Sequence, residues 1–333
     1  MRLKAVVFMI AALILTAGGY YLSETINEEQ KSAQDRADQV LLVDGVQEVV
    51  FLKLSGKAFN RPIELAREAV SHPFRVTKPI KSPADQGNVT QMVNALAMAR
   101  IKKRVKDPSN LKDFGLDPPW VRLQIKSKWQ KEQDLLLGDL SPTGESLYVK
   151  AAGKNEIWLL SRAVRVALNQ NLFSLRDKKV LDFVVLDVKE AFWQERNTND
   201  LILHRKKTGT SYNWETGAKV KAPRDDVLDL LFRIHGLRAL AFFDSGINLT
   251  AVGLIKPWAK MTLTVADAEK KGIIGILLGG TDPSGKQVYI RRLNGGPVMA
   301  VDKEKIKGLW ALKKKIKKAV RDNLPAKGRS EDN

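Results

Sequence analysis

The sequence predicts an α+β protein with an N-terminal transmembrane helix followed by two tandem similar lobes, each an antiparallel sheet with helices on one face. Three observations predict this fold class. The chain begins with an uncharged apolar run, its body carries the same pattern twice about 140 residues apart, and each copy mixes alternating strands with helical periodicity. We expect an anchor at 1–22, a polar stalk at 23–44, lobes at 45–182 and 183–322, and a disordered tail at 323–333.

The first segment predicts a single membrane crossing. Arg2 and Lys4 precede an uncharged run from Ala5 to Leu22, which would form a helix of roughly 27 Å, and Glu24 follows it. The positive-inside rule then places the N-terminus in the cytoplasm and the body in the periplasm, as for a single-pass inner-membrane protein. A cleaved signal peptide is the alternative interpretation, because small residues near the end of the run suit a cleavage site. Both interpretations export the body.

Two blocks carry the internal repeat. Gly115-Leu-Asp-Pro-Pro-Trp120 returns as Gly253-Leu-Ile-Lys-Pro-Trp258, and the segment from Leu137 to Val149 returns from Leu278 to Ile290. We interpret both tryptophans as core or sheet-edge residues, with ligand stacking as the alternative, because a residue retained through duplication serves the shared fold. The repeat predicts two lobes of the same architecture.

Each copy predicts the same order of elements. Short strands come first, followed by a helix that in the first copy has Ser82 as its N-cap and one apolar face between Val89 and Leu96. Strands with alternating apolar residues, such as Val121 to Lys126, then complete a four-stranded antiparallel meander. A closing helix ends each copy, from Arg162 to Leu175 in the first and from Lys303 to Val320 in the second.

Composition and motifs argue against most catalytic sites. The 333 residues include no Cys, which excludes disulfides, thiolate metal sites and a cysteine nucleophile, and the three His residues lack the spacing of a metal site. The segment Gly280 to Lys286 fits a phosphate-binding loop, but Gln287 stands where Ser or Thr should bind magnesium and a strand follows. We interpret this segment as a turn between strands. We therefore expect no enzyme activity, no catalytic residue, no cofactor and no metal.

The strongest charge feature is the basic C-terminal helix. The chain has 56 Lys+Arg against 37 Asp+Glu, a net charge of +19, and the closing helix is amphipathic. One interpretation is binding to anionic lipid, an anionic polymer or an acidic partner; the other is a packed closing helix with its lysines in water. Nucleic acid is not expected as a partner, because the body is exported and nucleic-acid motifs are missing. The candidate anion-binding residues are Lys303, Lys305, Lys307, Lys313, Lys314, Lys315, Lys317, Lys318 and Arg321.

Several of these segments resemble a known family. The helix start Pro83-Ala-Asp85, the segment Phe114-Gly-Leu-Asp-Pro-Pro119, Leu137-Gly138 with its following turn, and the passage from Leu175 to Phe183 resemble the bacterial domain-of-unknown-function family 4340. Members are encoded beside gliding-motility-type ABC transporter components. The resemblance implies an envelope-anchored accessory subunit of a transport or other envelope system, with a membrane protein partner and no catalytic residues. The alternative is an exported module that binds anionic envelope lipid or polymer through its basic surfaces.

Overall fold

The computed structural model describes residues 19–20, 23, 48–129, 132–196, 198–209, 211–266 and 271–324. The chain divides into two compact units between Asp177 and Lys178. Nearly all of the predicted anchor, stalk and tail lies outside the described residues. None of the described helices is both long and apolar enough to cross a bilayer.

The first unit is built on one nine-stranded sheet in which all neighbouring strands are antiparallel. Its spatial order is β4-β3-β2-β1-β6-β7-β8-β9-β5, with β1 (Val49–Ser55), β2 (Ile63–Ala66), β3 (Arg75–Lys78), β4 (Ser82–Pro83), β5 (Lys103–Lys106), β6 (Val121–Ser127), β7 (Glu132–Leu140), β8 (Ser146–Ala151) and β9 (Glu156–Ser161). Its helices are α1 (Gln86–Ala97), α2 (Arg162–Leu168), α3 (Leu172–Leu175) and a short 3-10 helix, Leu111–Phe114.

The second unit repeats this sheet strand for strand. Its order is β13-β12-β11-β10-β15-β16-β17-β18-β14, with β10 (Val188–Glu195), β11 (Thr198–Thr208), β12 (Ser211–Thr216), β13 (Lys221–Ala222), β14 (Ala241–Phe243), β15 (Ala259–Ala266), β16 (Lys271–Thr281), β17 (Gln287–Arg292) and β18 (Gly295–Asp302). Its helices are α4 (Arg224–His235), α5 (Lys303–Asp322) and the 3-10 helix Val185–Asp187. The prediction of two similar lobes with antiparallel sheets is confirmed.

Each lobe has its own core, formed where helices cover the sheet. In β6 the buried residues Val121, Leu123 and Ile125 alternate with polar ones, since successive side chains of a strand point to opposite faces. The four apolar residues that α1 buries belong to the same cluster, and those of α4 join α5 in the core of the second lobe. The alternation and the helical stripes seen in the sequence therefore mark the buried faces.

The repeated Gly-Leu segments have a steric explanation. Gly115 and Gly253 adopt positive φ angles of 65° and 71°, where a side chain would be strained. Gly138 in β7 and Gly279 in β16 lie so close to the carbonyl oxygens of Phe114 and Val252 that a Cβ atom would clash. The motif thus allows a turn to lie against a strand in both lobes.

Three details differ from the predictions. The meander is the middle of a nine-stranded sheet, because short flanking strands extend it on both sides. Asp85, instead of Ser82, caps α1 and accepts from the Asn88 backbone N–H, while Ser82 belongs to β4. The closing helix of the first lobe is two helices, because the Asn171 side chain and backbone form a capping box with Ser174 that starts a new helix.

Candidate binding site

A pocket of about 660 Å³ lies in the second lobe between α5 and the sheet. Its floor is formed by Trp258, by the end of β16 from Gly279 to Thr281, and by Val288. The first three turns of α5 form its other wall, with Ile306, Trp310 and Ala311 facing the space. The volume lies within the range of about 300–1,000 Å³ that is typical of small-molecule sites.

Three tryptophan rings in contact fix the shape of this pocket. The ring centroids of Trp258 and Trp310 are 4.2 Å apart, and those of Trp310 and Trp193 are 4.5 Å apart in an edge-to-face arrangement. The indole Nε1 of Trp258 donates to the carbonyl of Gly279. The pairing of β16 with β17 shifts register between Leu278 and Thr281, so Gly279 lies in an irregular part of the strand. Its carbonyl is accessible to the indole there.

Lysines surround the apolar walls. Lys303, Lys307 and Lys314 belong to the pocket lining; Lys303 donates to the carbonyl of Gly285 at 3.1 Å, and Lys307 is 2.7 Å from Glu304. Side chains of a helix rotate about 100° around its axis per residue, so Lys318 and Arg321 point to the same side of α5 as these three lysines, within a sector about 60° wide. We call Lys303, Lys307, Lys314, Lys318 and Arg321 the cationic stripe. It borders the pocket and continues along α5 beyond it.

The remaining predicted residues lie elsewhere on α5. Lys305 is exposed on a different side of the helix, and Lys317 is half-buried. Lys315 is exposed and pairs with Asp226 at 2.7 Å. Lys313 does not belong to an anion-binding surface: it is 3% exposed and forms an ion pair with Glu195. It occupies a position of the apolar face between Leu309 and Ile316, which explains its burial.

The Glu195–Lys313 pair joins α5 to the end of β10. Burial raises the pKa of Glu195, but hydrogen bonds from Lys313, Trp310 and Thr198, together with the charge of Lys313, outweigh it and hold the pKa below its ordinary value. The Lys313 ammonium also lies 5.5 Å from the centroid of the Trp193 ring. The pair and the tryptophans thus position the helix that forms one wall of the pocket.

The matching place in the first lobe is occupied by an arginine. Ser161 pairs with β8 and is the N-cap of α2, and Asp302 pairs with β17 and is the N-cap of α5, so the two residues are equivalent. Four residues after these caps stand Arg165 and Ile306, which therefore take equivalent positions. The Arg165 guanidinium lies 4.1 Å from the Trp120 ring centroid and donates to the carbonyl of Gly138 at 2.9 Å. In the first lobe, Arg165 therefore covers Trp120, whereas the equivalent Trp258 of the second lobe lines the pocket.

Other candidate groups of the sequence take structural places. The segment from Gly280 to Lys286 is the end of β16 and the turn to β17, as predicted; in this turn Asp282 accepts from the backbone N–H groups of Ser284, Lys286 and Gln287. His204 is exposed and lies 3.1 Å from Glu190. Within the described part of the chain, no three His, Asp or Glu side chains are grouped to hold a metal ion.

Sequence reasoning missed the pocket itself. Both repeated tryptophans pack against the cores, as predicted, but Trp258 also lines the pocket. In the sequence, Trp310 and Ile306 mark only the apolar face of an amphipathic helix. The repeat contains a signal for it: the two copies keep the tryptophan, but the charged Arg165 of the first copy is replaced by the apolar Ile306 in the second.

Comparison with known proteins identifies the family. The model of the domain of unknown function DUF4340 matches residues 75–257, more than half of the chain and parts of both lobes. No curated protein and no solved structure is significantly similar to the chain. The lining of the pocket begins at Trp258, directly beyond the matched range. The chain belongs to the DUF4340 family.

Proposed function

We propose that this protein is a membrane-anchored, non-catalytic binding subunit of a cell-envelope system, with its body in the periplasm and an anionic ligand held by its second lobe. The observation that supports this role is the combination on one helix of an apolar pocket and a cationic stripe. An exported body meets anionic lipid headgroups and polymers, which would be attracted by the net charge of +19.

The expected strength of this attraction follows from the cationic stripe. A lysine or arginine near an anionic lipid surface contributes about 1 kcal/mol. Lys314, Lys318 and Arg321 are exposed at successive turns of one side of α5. Removing two of them should therefore weaken binding by about 2 kcal/mol, or roughly 30-fold.

Vesicle binding at varied salt tests the proposal. The full chain, held in nanodiscs of zwitterionic lipid, is mixed with phosphatidylglycerol or phosphatidylcholine vesicles, and co-flotation is measured. Binding to the anionic vesicles should fall steeply with added salt, because the Debye length shortens from about 30 Å at 0.01 M to about 8 Å at 0.15 M ionic strength. Equal binding to both vesicle types, or binding insensitive to salt, would contradict the proposal.

A matched pair of variants locates the effect. Lys314→Glu/Lys318→Glu reverses two charges of the cationic stripe, and Lys102→Glu/Lys103→Glu reverses two exposed charges of the first lobe. Both change the net charge by the same amount, so a nonspecific charge effect would weaken binding equally. We expect the loss in the α5 variant alone.

A second role is proposed from the family and the N-terminal segment. Membership in DUF4340, with an apolar N-terminal run that would keep the body at the inner membrane, favours an accessory subunit of an ABC-type transport or other envelope machine. Co-purification after gentle detergent extraction tests this role. We expect a membrane protein partner in stoichiometric yield, and recovery of the chain alone would count against it.

A further inference from the structure

We propose that the pocket of the second lobe binds a single-chain anionic amphiphile, with its alkyl chain against the apolar walls formed by Trp258 and Trp310 and its headgroup on the lysines of the cationic stripe. This inference rests on the proposed function and names the ligand class of the same site. It follows from the shape of the pocket, from the position of the charges, and from the contrast with the first lobe.

The walls of the pocket select an apolar ligand. Trp258, Val288, Ile306, Trp310 and Ala311 all line it, and none of their side chains carries a charge. A polyphosphate or an acidic polysaccharide has no apolar part to fill such a space, so it would leave the indole rings in water. An alkyl chain fills the space and removes its own methylenes from water at the same time.

The rim selects a negative headgroup. Lys303 and Lys307 lie one turn apart at the first turns of α5, and Lys314 lies two turns further along. A phosphate or carboxylate at the mouth of the pocket can therefore reach an ammonium group while the alkyl chain is buried. An ammonium–phosphate hydrogen bond is charge-assisted and stronger than a neutral one. The combination of apolar walls and a cationic rim fits an amphiphile better than either feature alone.

The first lobe shows how the same fold closes this space. There the guanidinium of Arg165 covers the Trp120 ring and bonds to the Gly138 carbonyl. In the second lobe Ile306 takes the equivalent position, and the Gly279 carbonyl is instead bonded by the Trp258 indole. An apolar side chain thus stands beside Trp258 where a guanidinium covers Trp120, and the pocket lies next to it.

A chain-length series gives the first test. Octyl, decyl and dodecyl phosphate are titrated into the full chain in zwitterionic nanodiscs, and the heat is compared with that of empty nanodiscs. Each added methylene should tighten binding about fourfold, the factor that corresponds to ~0.8 kcal/mol of transfer free energy. Dodecyl maltoside should bind more weakly than dodecyl phosphate, and dodecyltrimethylammonium should bind least. Affinity that is independent of chain length would overturn the inference.

Variants identify the pocket as the site. Ile306→Arg reproduces the side chain of the first lobe and should weaken dodecyl phosphate binding at least about tenfold. Because Ile306 is 3% exposed and its replacement can disturb folding, Ala311→Phe fills the pocket from an exposed position of α5 and should give the same loss. Lys305→Phe places the same ring on another side of α5 and should change nothing. Full binding by Ala311→Phe would contradict the assignment.

The outcomes separate this inference from the proposed function. Salt-dependent vesicle binding together with a flat alkyl series would keep the anion-binding role and overturn the pocket ligand. Absence of salt-dependent vesicle binding together with a flat alkyl series would overturn both the anion-binding role and the pocket ligand. If a polyglutamate peptide binds as tightly as dodecyl phosphate, the pocket holds an acidic protein segment and the amphiphile is overturned. If the chain self-associates and Ala311→Phe abolishes this, the pocket holds a second copy of the chain, which also overturns the amphiphile.

Discussion

Separating the buried ion pair between Glu195 and Lys313 should destabilise the second lobe strongly. The perturbations are Glu195→Gln and Lys313→Met, which each remove one charge with little change in shape, and the double variant that removes both. In the wild type the Lys313 side chain is 4% exposed and that of Glu195 is 12% exposed. Each single variant therefore leaves one charge in a poorly hydrated place.

The magnitude differs between the two single variants. Leaving one charge of a buried pair without its partner costs about 3–5 kcal/mol. Glu195→Gln should reach this range, because the remaining ammonium is almost fully buried. Lys313→Met should cost less, because the carboxylate that remains is more exposed and still accepts from the Thr198 hydroxyl at 3.2 Å. The double variant should return to within about 1 kcal/mol of the wild type, since it leaves no uncompensated charge.

Urea unfolding of the full chain in neutral detergent measures these differences. Near-ultraviolet circular dichroism reports on the packed tryptophans Trp193, Trp258 and Trp310 of this lobe. In a thermal scan, 3–5 kcal/mol corresponds to a shift of roughly 6–20 °C for a unit of this size. Single variants that each cost under about 1 kcal/mol and add independently in the double variant would refute the reasoning.

Substitutions at a glycine, a helix cap and an arginine, and acid unfolding, test other parts of the structure. Gly279→Ala should destabilise the second lobe by about 1–3 kcal/mol in urea unfolding, whereas Gly272→Ala, which has open space, should not. Asp85→Ala should cost about 1 kcal/mol by the same measurement and Ser82→Ala less, since Asp85 is the cap. Arg165→Ile should destabilise the first lobe by about 1 kcal/mol in urea unfolding, because it removes the contact with the Trp120 ring and the hydrogen bond to the Gly138 carbonyl. The folded state lowers the pKa of Glu195, so its carboxylate stabilises the fold fully above the ordinary pKa of about 4.5. This stabilisation is lost as the pH falls through the lowered pKa. In acid unfolding, Glu195→Gln should lack the part of the pH dependence that comes from this carboxylate.

Much of the fold can be predicted because the signals are local or repeated. The three- and four-residue spacing of apolar side chains predicts the closing helix from Lys303, and the helix ends at Asp322, two residues beyond Val320. The alternation in β6 predicted its buried face. The short edge strands β5 and β14 were missed, because Lys103–Lys106 is too short and too charged to show alternation, and its pairing with β9 depends on distant residues.

The candidate site could be predicted only in part. The basic helix is visible in the sequence, but the pocket arises where Trp258 meets Trp310, and nothing local links these two positions. Lys313 was grouped with its charged neighbours although its spacing from Leu309 and Ile316 places it on the apolar face. Charge alone does not separate a solvated lysine from a buried one; the position of the residue on the helix does.

Photolabelling tests the central claim most directly. A dodecyl phosphate that carries a diazirine near the end of its alkyl chain is added to the full chain, activated by light, and the modified peptides are mapped by mass spectrometry. We expect modification of the second lobe at β16 and α5, around Gly279 to Thr281 and Ile306 to Ala311, with loss of the label in Ala311→Phe. Modification of the Trp120 region of the first lobe, or labels spread over both lobes and unchanged in Ala311→Phe, would contradict the account.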